Sequence, residues 1–536
     1  MNIAGNLINQ LIQQGVVEFC IAPGSRSTPL ALAAARHPKA RLTVHFDERG
    51  LAFYALGLSL AKKMPAAIIV TSGTAVGNLM PAVMEAFHSR VPLILLTADR
   101  PDELRDCSAN QTTDQIHFFQ KFSLWQSDLP CEASEEFIRA QASYAVFNAL
   151  RKGPVHLNCP FREPLYEPPA PIKEGIAQPL FLPTPSFHQQ ERKPLLKNRG
   201  IILIGKMPFG TSLAPLFRFA QQLGWPIFAD LLSGARAFPA SEEQIDHFDY
   251  AVRSKEAPLP EQIIHFGGRF TSKSLLEWIK NNKIETIQVS SDHERIEPLH
   301  AARVWAEPES FCKAFSCFPE KDSSWLQTWR QLDQLIKNHL DSCFSEPHPF
   351  TEPDLMRAIG EQLPENWGLF LANSMPIRDA EHFLFPKNAF GFFANRGLSG
   401  IDGQIATAAG IAACLKKPLC VVLGDQSCLH DLNSLSLLHT IKTPFQLIIS
   451  NNFGGGIFSH LPVAKEPEHF EHLFGNPHDY LFEKAAEMFH IPYRRVEKVD
   501  QLFNSSTPSI LEICTSREEN KKFRDRIGEQ CFSLVC

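Results

Sequence analysis

Short uninterrupted apolar runs recur along this chain, and between them apolar positions return every three or four residues. In the first third, VVEFCIA (16–22), LTVHF (42–46), AAIIVTSG (66–73), VPLILLTAD (91–99) and GPVHLNCP (153–160) read as strands. TPLALAAARH, GLAFYALGLSLAK and AVGNLMPAVMEAFH, lying between them, read as helices. Strands apolar on both faces, alternating with helices, predict a parallel sheet covered on both sides. The middle third repeats the theme more faintly at 200–206, 225–230, 261–268 and 285–291. The last third repeats it at 368–374, 418–425, 444–452 and 508–516, with helical patterns in GQIATAAGIAACL and CLHDLNSLSLLHTI. The N-terminal MNIAGNLINQLIQQG reads as an amphipathic helix.

Two stretches interrupt the alternation. A Pro-rich segment from Pro164 to Pro194 reads as an extended linker, and SEPHPFTEP at Ser345–Pro353 as a second one. The expected architecture is α/β, with three doubly wound parallel-sheet domains at 1–185, 186–345 and 346–536. No internal repeat of 20–50 residues is visible.

Composition narrows the setting. Hydrophobic residues make up 44% and charged residues 21%, which suits several packed cores. A net charge of −6 argues against a broadly basic nucleic-acid-binding surface. The 13 cysteines show no CxxC pair and no zinc-like spacing. They read as buried thiols in a reducing compartment. No apolar run is long enough for a membrane span and no signal-like core follows the N-terminus, so a cytoplasmic location is expected.

The strongest chemistry lies in GDQS (424–427) and NN (451–452). Asp425 ends one apolar strand, a helix of about three turns is expected next, and a second apolar strand ends at Asn452. A right-handed crossover brings both ends to the carboxyl edge of one sheet, where doubly wound folds bind ligands. An Asp carboxylate and an Asn carbonyl are hard oxygen ligands suited to Mg²⁺. The FGGG run after Asn452 lets a backbone carbonyl, at Gly454, join them. Helix starts after Gly403 and Gly424 offer N–H groups to a phosphate. This spacing resembles the GD…NN motif of thiamine-diphosphate enzymes. That resemblance implies thiamine diphosphate with Mg²⁺ (or Mn²⁺) as cofactors. Asp425, Asn452 and Gly454 would hold the metal. Asp402, Gly403, Gly424, Gln426 and Ser427 would hold the cofactor.

The family also needs a carboxylate on another domain, hydrogen-bonded to the cofactor's aminopyrimidine ring. Glu48 in HFDERG matches it as the catalytic and cofactor-contacting glutamate. Because that domain of one subunit faces the diphosphate domain of another, the resemblance implies a homodimer or a dimer of dimers. Cations sit in loops after strands: Arg26 in PGSRSTP, Arg100 in TADRP, Lys273 in GGRFTSKSLL, Arg378 in NSMPIRD and Arg396 in ANRGLSGIDG. Guanidinium groups grip carboxylates bidentately, so substrates with several carboxylates are expected.

The blocks CIAPGSRSTPLALAAA, HFDERGLAFYALGL, VTSGTAVGNLMPA, LILLTADRPDELRDCSANQ, NRGLSGIDG and NNFGGGIFSHLP together resemble one family. It is the 2-succinyl-5-enolpyruvyl-6-hydroxy-3-cyclohexene-1-carboxylate synthases of menaquinone biosynthesis. The matches run from about Cys20 to Leu461 and are weakest in the middle third. The resemblance implies decarboxylation of 2-oxoglutarate and conjugate addition of the resulting carbanion to isochorismate. It implies substrate contacts at Ser25, Arg26, Arg100, Gln111, Lys273, Ser374, Arg378 and Arg396. Ile401 would prop the cofactor, and Ile457, Phe458 and Leu461 would form an apolar wall. Two departures stand out: Phe453 replaces a commonly polar residue, and PIRDAEHF around Arg378 is less typical. No adjacent His pair is present, which fits an enzyme that keeps its carbanion for bond formation. The alternative is another thiamine-diphosphate enzyme, such as an acetolactate synthase or a 2-oxo-acid decarboxylase, distinguished by donor preference. No GxGxxG follows a strand, which argues against a nicotinamide dehydrogenase.

Overall fold

The computed structural model describes the chain except residues 1–2, 167, 169–181, 183, 188–193, 239–240, 255–256, 293–295, 297–300, 387–388, 498, 500–501, 506 and 535–536. Most of the Pro164–Pro194 linker therefore lies outside the described residues. Three sheets form, every strand pair in them parallel. The first contains β1 (Glu18–Ile21), β2 (Arg41–Val44), β3 (Ala66–Val70), β4 (Leu93–Asp99), β5 (Trp125–Asp128) and β6 (Pro154–Pro160). Its order is β2-β1-β3-β4-β6-β5. The second contains β7 (Gly200–Ile204), β8 (Ile227–Ala229), β9 (Gln262–Phe266), β10 (Glu285–Ser290) and β11 (Ala301–Trp305), in the order β11-β10-β9-β7-β8. The third contains β12 (Gly368–Leu371), β13 (Phe392–Phe393), β14 (Leu419–Gly424), β15 (Phe445–Asn451), β16 (Tyr493–Val496) and β17 (Ser509–Cys514). Its order is β13-β12-β14-β15-β17-β16. These are the three expected α/β units, with β5, β11, β13 and β16 added to the strands read from the sequence.

The helix Glu48–Lys62 starts where it does because the Asp47 carboxylate accepts from the backbone N–H of Arg49 (3.0 Å) and of Gly50 (3.4 Å). It packs against the helix Gln404–Leu415 of the third unit, backbone to backbone. A Cβ on Gly57 would lie 2.0 Å from the Thr407 carbonyl, and one on Gly410 would lie 2.1 Å from that of Tyr54. One apolar core continues across this contact, from Leu51 and Leu56 to Ile405, Val421 and Phe445.

Three local expectations need correction. The helical pattern at 75–88 breaks into Thr74–Gly77 and Met80–Ser89, the second with Pro81 in its first turn. The three-turn helix expected after Asp425 is a short helix, Asp425–His430, followed by a 3₁₀ segment, Leu432–Thr440. Asp431 causes the break. Its buried carboxylate accepts from Ser434 (2.6 Å) and from the backbone of Ala406 (3.0 Å), at the start of the neighbouring helix. Burial pushes that carboxyl up to about 6. The second linker is shorter than expected. The helix Ser323–Ser345 ends where it begins, and Glu352 and Pro353 already belong to the helix Glu352–Gln362, which Thr351 and Asp354 cap reciprocally.

Candidate active site

The carboxyl edge of the third sheet gathers the predicted metal residues. Asp425 follows β14 and is buried. Its Oδ2 accepts from the Gly454 backbone (2.9 Å) and its Oδ1 from that of Gln426 (2.6 Å). His478 Nε2 lies 3.4 Å from the same Oδ2. Burial raises the carboxyl above the ordinary carboxylate range. The two asparagines ending β15 differ. Asn451 is satisfied: its Nδ2 donates to the Tyr480 carbonyl (2.9 Å) and to Glu512 (2.7 Å), and its Oδ1 accepts from the Phe453 backbone (3.1 Å). Asn452 donates through Nδ2 to Glu352 (2.7 Å), but its buried Oδ1 has no hydrogen-bond partner. A buried carboxylate pushed toward protonation, beside an orphaned carbonyl oxygen, fits a hard divalent cation.

The loop after β15 is tightly held. Phe453 takes a left-handed backbone (φ 60°), and its ring meets that of His478 edge-on at 6.1 Å. Gly454 has φ 153°, and a Cβ there would lie 2.4 Å from the Gly475 carbonyl. Its own carbonyl accepts from Gly456 (3.1 Å). Gly403, at φ 57°, caps the helix Gln404–Leu415, whose Ala406 N–H is already taken by Asp431. Gly424 caps the helix Asp425–His430. Ser427 is buried within that helix, and Gln426 reaches toward the Asn476 carbonyl (3.4 Å). Asp402 lies 3.8 Å from His430. Ile401 is partly exposed beside it.

A cavity of about 900 Å³ opens between the second and third units. Lys273, Arg378, Arg396, Ile457 and Leu461 line it, so five predicted residues share one space. His460 and Arg524 join them. Ser374 precedes Arg378 with a left-handed backbone (φ 74°), and its carbonyl accepts from Arg378 (2.5 Å). Arg396 donates to Asn373 Oδ1 (3.0 Å). Burial pulls both guanidiniums below their ordinary range, helped at Arg396 by the charge of Arg378. Among the described residues no carboxylate forms an ion pair with either. Lys273 is largely exposed and pairs with Glu277 (3.3 Å). Phe458 packs against Phe474 at 5.7 Å.

The other predicted residues gather on the first sheet. Arg100 donates to the Asn110 carbonyl (2.6 Å) and to the Ser72 hydroxyl. Gln111, left-handed at φ 55°, donates to the Ser72 carbonyl (3.1 Å). Arg26 donates to the Phe161 carbonyl (2.9 Å). Burial and the nearby Arg26 pull Arg100 below its ordinary range. Ser25 is exposed, its carbonyl accepting from Thr28 (2.7 Å). Glu48 opens its helix half-buried and accepts from Asn78 (3.2 Å). Its neighbour Arg49 anchors to the His430 carbonyl (2.6 Å) of the third unit. Among the described residues no hydrogen bond or ion pair joins Glu48, Arg26, Arg100 or Gln111 to the metal loop or to the cavity cations. The predicted residues thus fall into two groups within one chain. Glu352, Arg524 and His478 were not foreseen. Only the Thr351–Asp354 capping pattern in TEPD hinted that a helix begins at Glu352.

A family model described as "Thiamine pyrophosphate enzyme, N-terminal TPP binding domain" matches residues 1–121. Another, "Middle domain of thiamine pyrophosphate", matches residues 182–371. Three all-parallel α/β units carrying these two domains define a thiamine pyrophosphate enzyme. A 2-succinyl-5-enolpyruvyl-6-hydroxy-3-cyclohexene-1-carboxylate synthase from Chlorobium phaeobacteroides is 38% identical over 569 residues, covering 99% of this chain and 97% of its own. One so named from Salinibacter ruber is 36% identical (97% and 95% covered), and one from Geobacillus kaustophilus 37% (96% and 95%). The chain belongs to the 2-succinyl-5-enolpyruvyl-6-hydroxy-3-cyclohexene-1-carboxylate synthase family.

Proposed function

We propose that this protein decarboxylates 2-oxoglutarate and adds the resulting succinyl carbanion equivalent to isochorismate. The products are 2-succinyl-5-enolpyruvyl-6-hydroxy-3-cyclohexene-1-carboxylate and CO₂, in menaquinone biosynthesis. The observation that carries the reading is the buried Asp425 beside the unpartnered Asn452 carbonyl oxygen, at the ends of adjacent parallel strands. Asp425, Asn452 and Gly454 would hold Mg²⁺, which Mn²⁺ can replace. Asp402, Gly403, Gly424, Gln426 and Ser427 would hold the diphosphate end of the cofactor, and Ile401 would prop it. When bound, thiamine diphosphate supplies the carbon nucleophile and electron sink that the chemistry requires.

The chain's own residues do the rest. Glu48 would hydrogen-bond the aminopyrimidine ring, giving it a proton and taking that proton back. Ile457, Phe458 and Leu461 present an apolar wall that disfavours a charged carboxylate there. Lys273, Arg378 and Arg396, with Ser25, Arg26, Arg100, Gln111 and Ser374, grip the substrate carboxylates and bring acceptor to donor.

The active unit is a homodimer, alone or doubled. The first unit of one subunit completes the third unit of the other. Two observations support this: among the described residues no hydrogen bond or ion pair joins the two groups within one chain, and Leu42, Val44 and Phe46, just before Glu48, are exposed. We assign the domains to 1–185, 186–345 and 346–536. We place the enzyme in the cytoplasm. In keeping with that, the described cysteines are all free, and no described helix is long and apolar enough to cross a membrane.

The test mixes protein, thiamine diphosphate, Mg²⁺, 2-oxoglutarate and isochorismate and follows isochorismate absorbance. Loss that requires both cofactor and 2-oxoglutarate is expected. No loss, with pyruvate consumed instead, would move the protein to the acetolactate synthase type.

A further inference from the structure

An amide side chain offers a site either a carbonyl oxygen or an NH₂ group, depending on which way its plane is turned. Only the oxygen can ligate a cation. Being an asparagine at the end of β15 does not settle the matter. Asn451 spends its whole amide on internal bonds, whereas Asn452 keeps its oxygen open. Both NH₂ groups donate to a buried glutamate, Glu512 for Asn451 and Glu352 for Asn452, and the two differ in that the Asn451 oxygen also accepts from the Phe453 N–H. For Asn452 the partner is the Glu352 carboxylate, whose Oε1 accepts from Asn452 Nδ2 (2.7 Å) and from the Ser450 hydroxyl (3.2 Å). A carboxylate oxygen accepts only, so it selects the NH₂ face and leaves the carbonyl for the site.

Glu352 is itself braced. Its other oxygen lies against Arg524 Nη2. Arg524 also donates through Nε to the buried Asp379 (2.8 Å). The backbone N–H of Glu352 donates to Asn520 Oδ1 (3.0 Å). Arg524 and Asn520 both belong to the C-terminal helix Arg517–Leu534. That helix therefore grips Glu352 at two points, and Glu352 grips Asn452. The acceptor's charge also draws the amide NH₂ outward and makes the carbonyl oxygen a better donor to a cation.

We propose that Glu352, braced by Arg524 and Asn520, is a positioning residue that holds the Asn452 amide with its oxygen toward the metal and so sets the affinity of the site for divalent cations. The proposal rests on the metal-site reading above. Residues that orient metal ligands are worth about 10–100-fold in metal affinity when removed.

The experiment titrates Mn²⁺ into wild type, Glu352→Gln and Glu352→Gln/Asn452→Asp, each saturated with thiamine diphosphate, and reads free Mn²⁺ by electron paramagnetic resonance. A Gln at 352 offers both faces and no longer selects one, so affinity should fall about 10–100-fold. An Asp at 452 has no wrong face and can accept from that Gln, so the double variant should regain most of the loss. The melting temperature of the metal-free proteins is measured alongside. A lesion that only damages the fold would persist in the double variant, and failure to recover would overturn the proposal. Equal Mn²⁺ affinity in wild type and Glu352→Gln would overturn it while leaving the metal site standing. A wild type that binds no Mn²⁺ would bring down the metal-site reading and the proposal with it.

Discussion

Counted from its own first strand, the N-terminal sheet runs 2-1-3-4-6-5, and so does the C-terminal sheet. The loops at their carboxyl edges correspond one to one. After the first strand come Ser25 and Arg26 in one, Ser374 and Arg378 in the other. After the second come Glu48 against Arg396, Asp402 and Gly403; after the third, Ser72 against Asp425; after the fourth, Arg100 against Asn452. The helices following the second strands, Glu48–Lys62 and Gln404–Leu415, are the pair in backbone contact. On the proposed function, one topology would thus deliver the half-site of the catalytic glutamate and the metal half-site. Strand order decides where loops converge, and the residues at the strand ends decide what they do.

The comparison can be broken at its strongest point. Glu48→Gln should cost about 10²–10⁴-fold in turnover while calorimetry still detects cofactor binding. Near-normal turnover would remove the base from the first sheet. Asp425→Ala should weaken Mg²⁺-dependent cofactor binding by on the order of 100-fold or more, and intact affinity by calorimetry would remove the metal from the third. Gly57→Ala forces a Cβ into the Thr407 carbonyl and should cost about 1–3 kcal/mol of stability, read as a lower denaturation midpoint. An unchanged midpoint would mean that the two sheets are not held by this contact.

The middle sheet begins with the same 2-1-3-4 order and, like the first, buries a histidine in a strand. Burial holds His265 on β9 down to about 4, its Nε2 donating to the Gly268 carbonyl (3.0 Å). A lowered histidine contributes stability that is complete above pH 6.5, the ordinary value, and is lost as pH falls toward 4. The protein should therefore lose roughly 1–2 kcal/mol from this group between pH 7 and pH 5. His265→Asn should flatten that part of the profile, and an unchanged slope would contradict it. Arg396→Ala, the smallest effect, should raise KM for 2-oxoglutarate about tenfold with kcat less affected.

The central strands were legible because each is apolar on both faces. The four that escaped, β5, β11, β13 and β16, are all sheet edges. WQSD, AARVW, FF and YRRV have one neighbouring strand each, and three of them carry exposed or half-exposed positions, so no apolar run marks them. The break at Asp431 and the early helix start at Glu352 were hidden for a related reason. The first depends on a partner far along the chain, Ala406; the second, although capped locally by Thr351 and Asp354, is held further by the distant Asn520. In the candidate site, Glu48, Asp425 and Asn452 could be placed because each ends or follows a strand. Glu352 could not, since its bonds to Asn452 and Arg524 join residues a hundred or more positions apart.

The account stands or falls on whether the two sheets work across subunits. Glu48→Gln and Asp425→Ala chains, co-expressed with different tags and purified as the mixed dimer, give the direct measurement. In a two-fold dimer with sites shared between chains, one of the two sites is intact, so about half of wild-type turnover should return although each parent is nearly inactive. If each chain built its whole site alone, every site in the mixed dimer would carry one lesion. Turnover no higher than that of the parents would contradict the account.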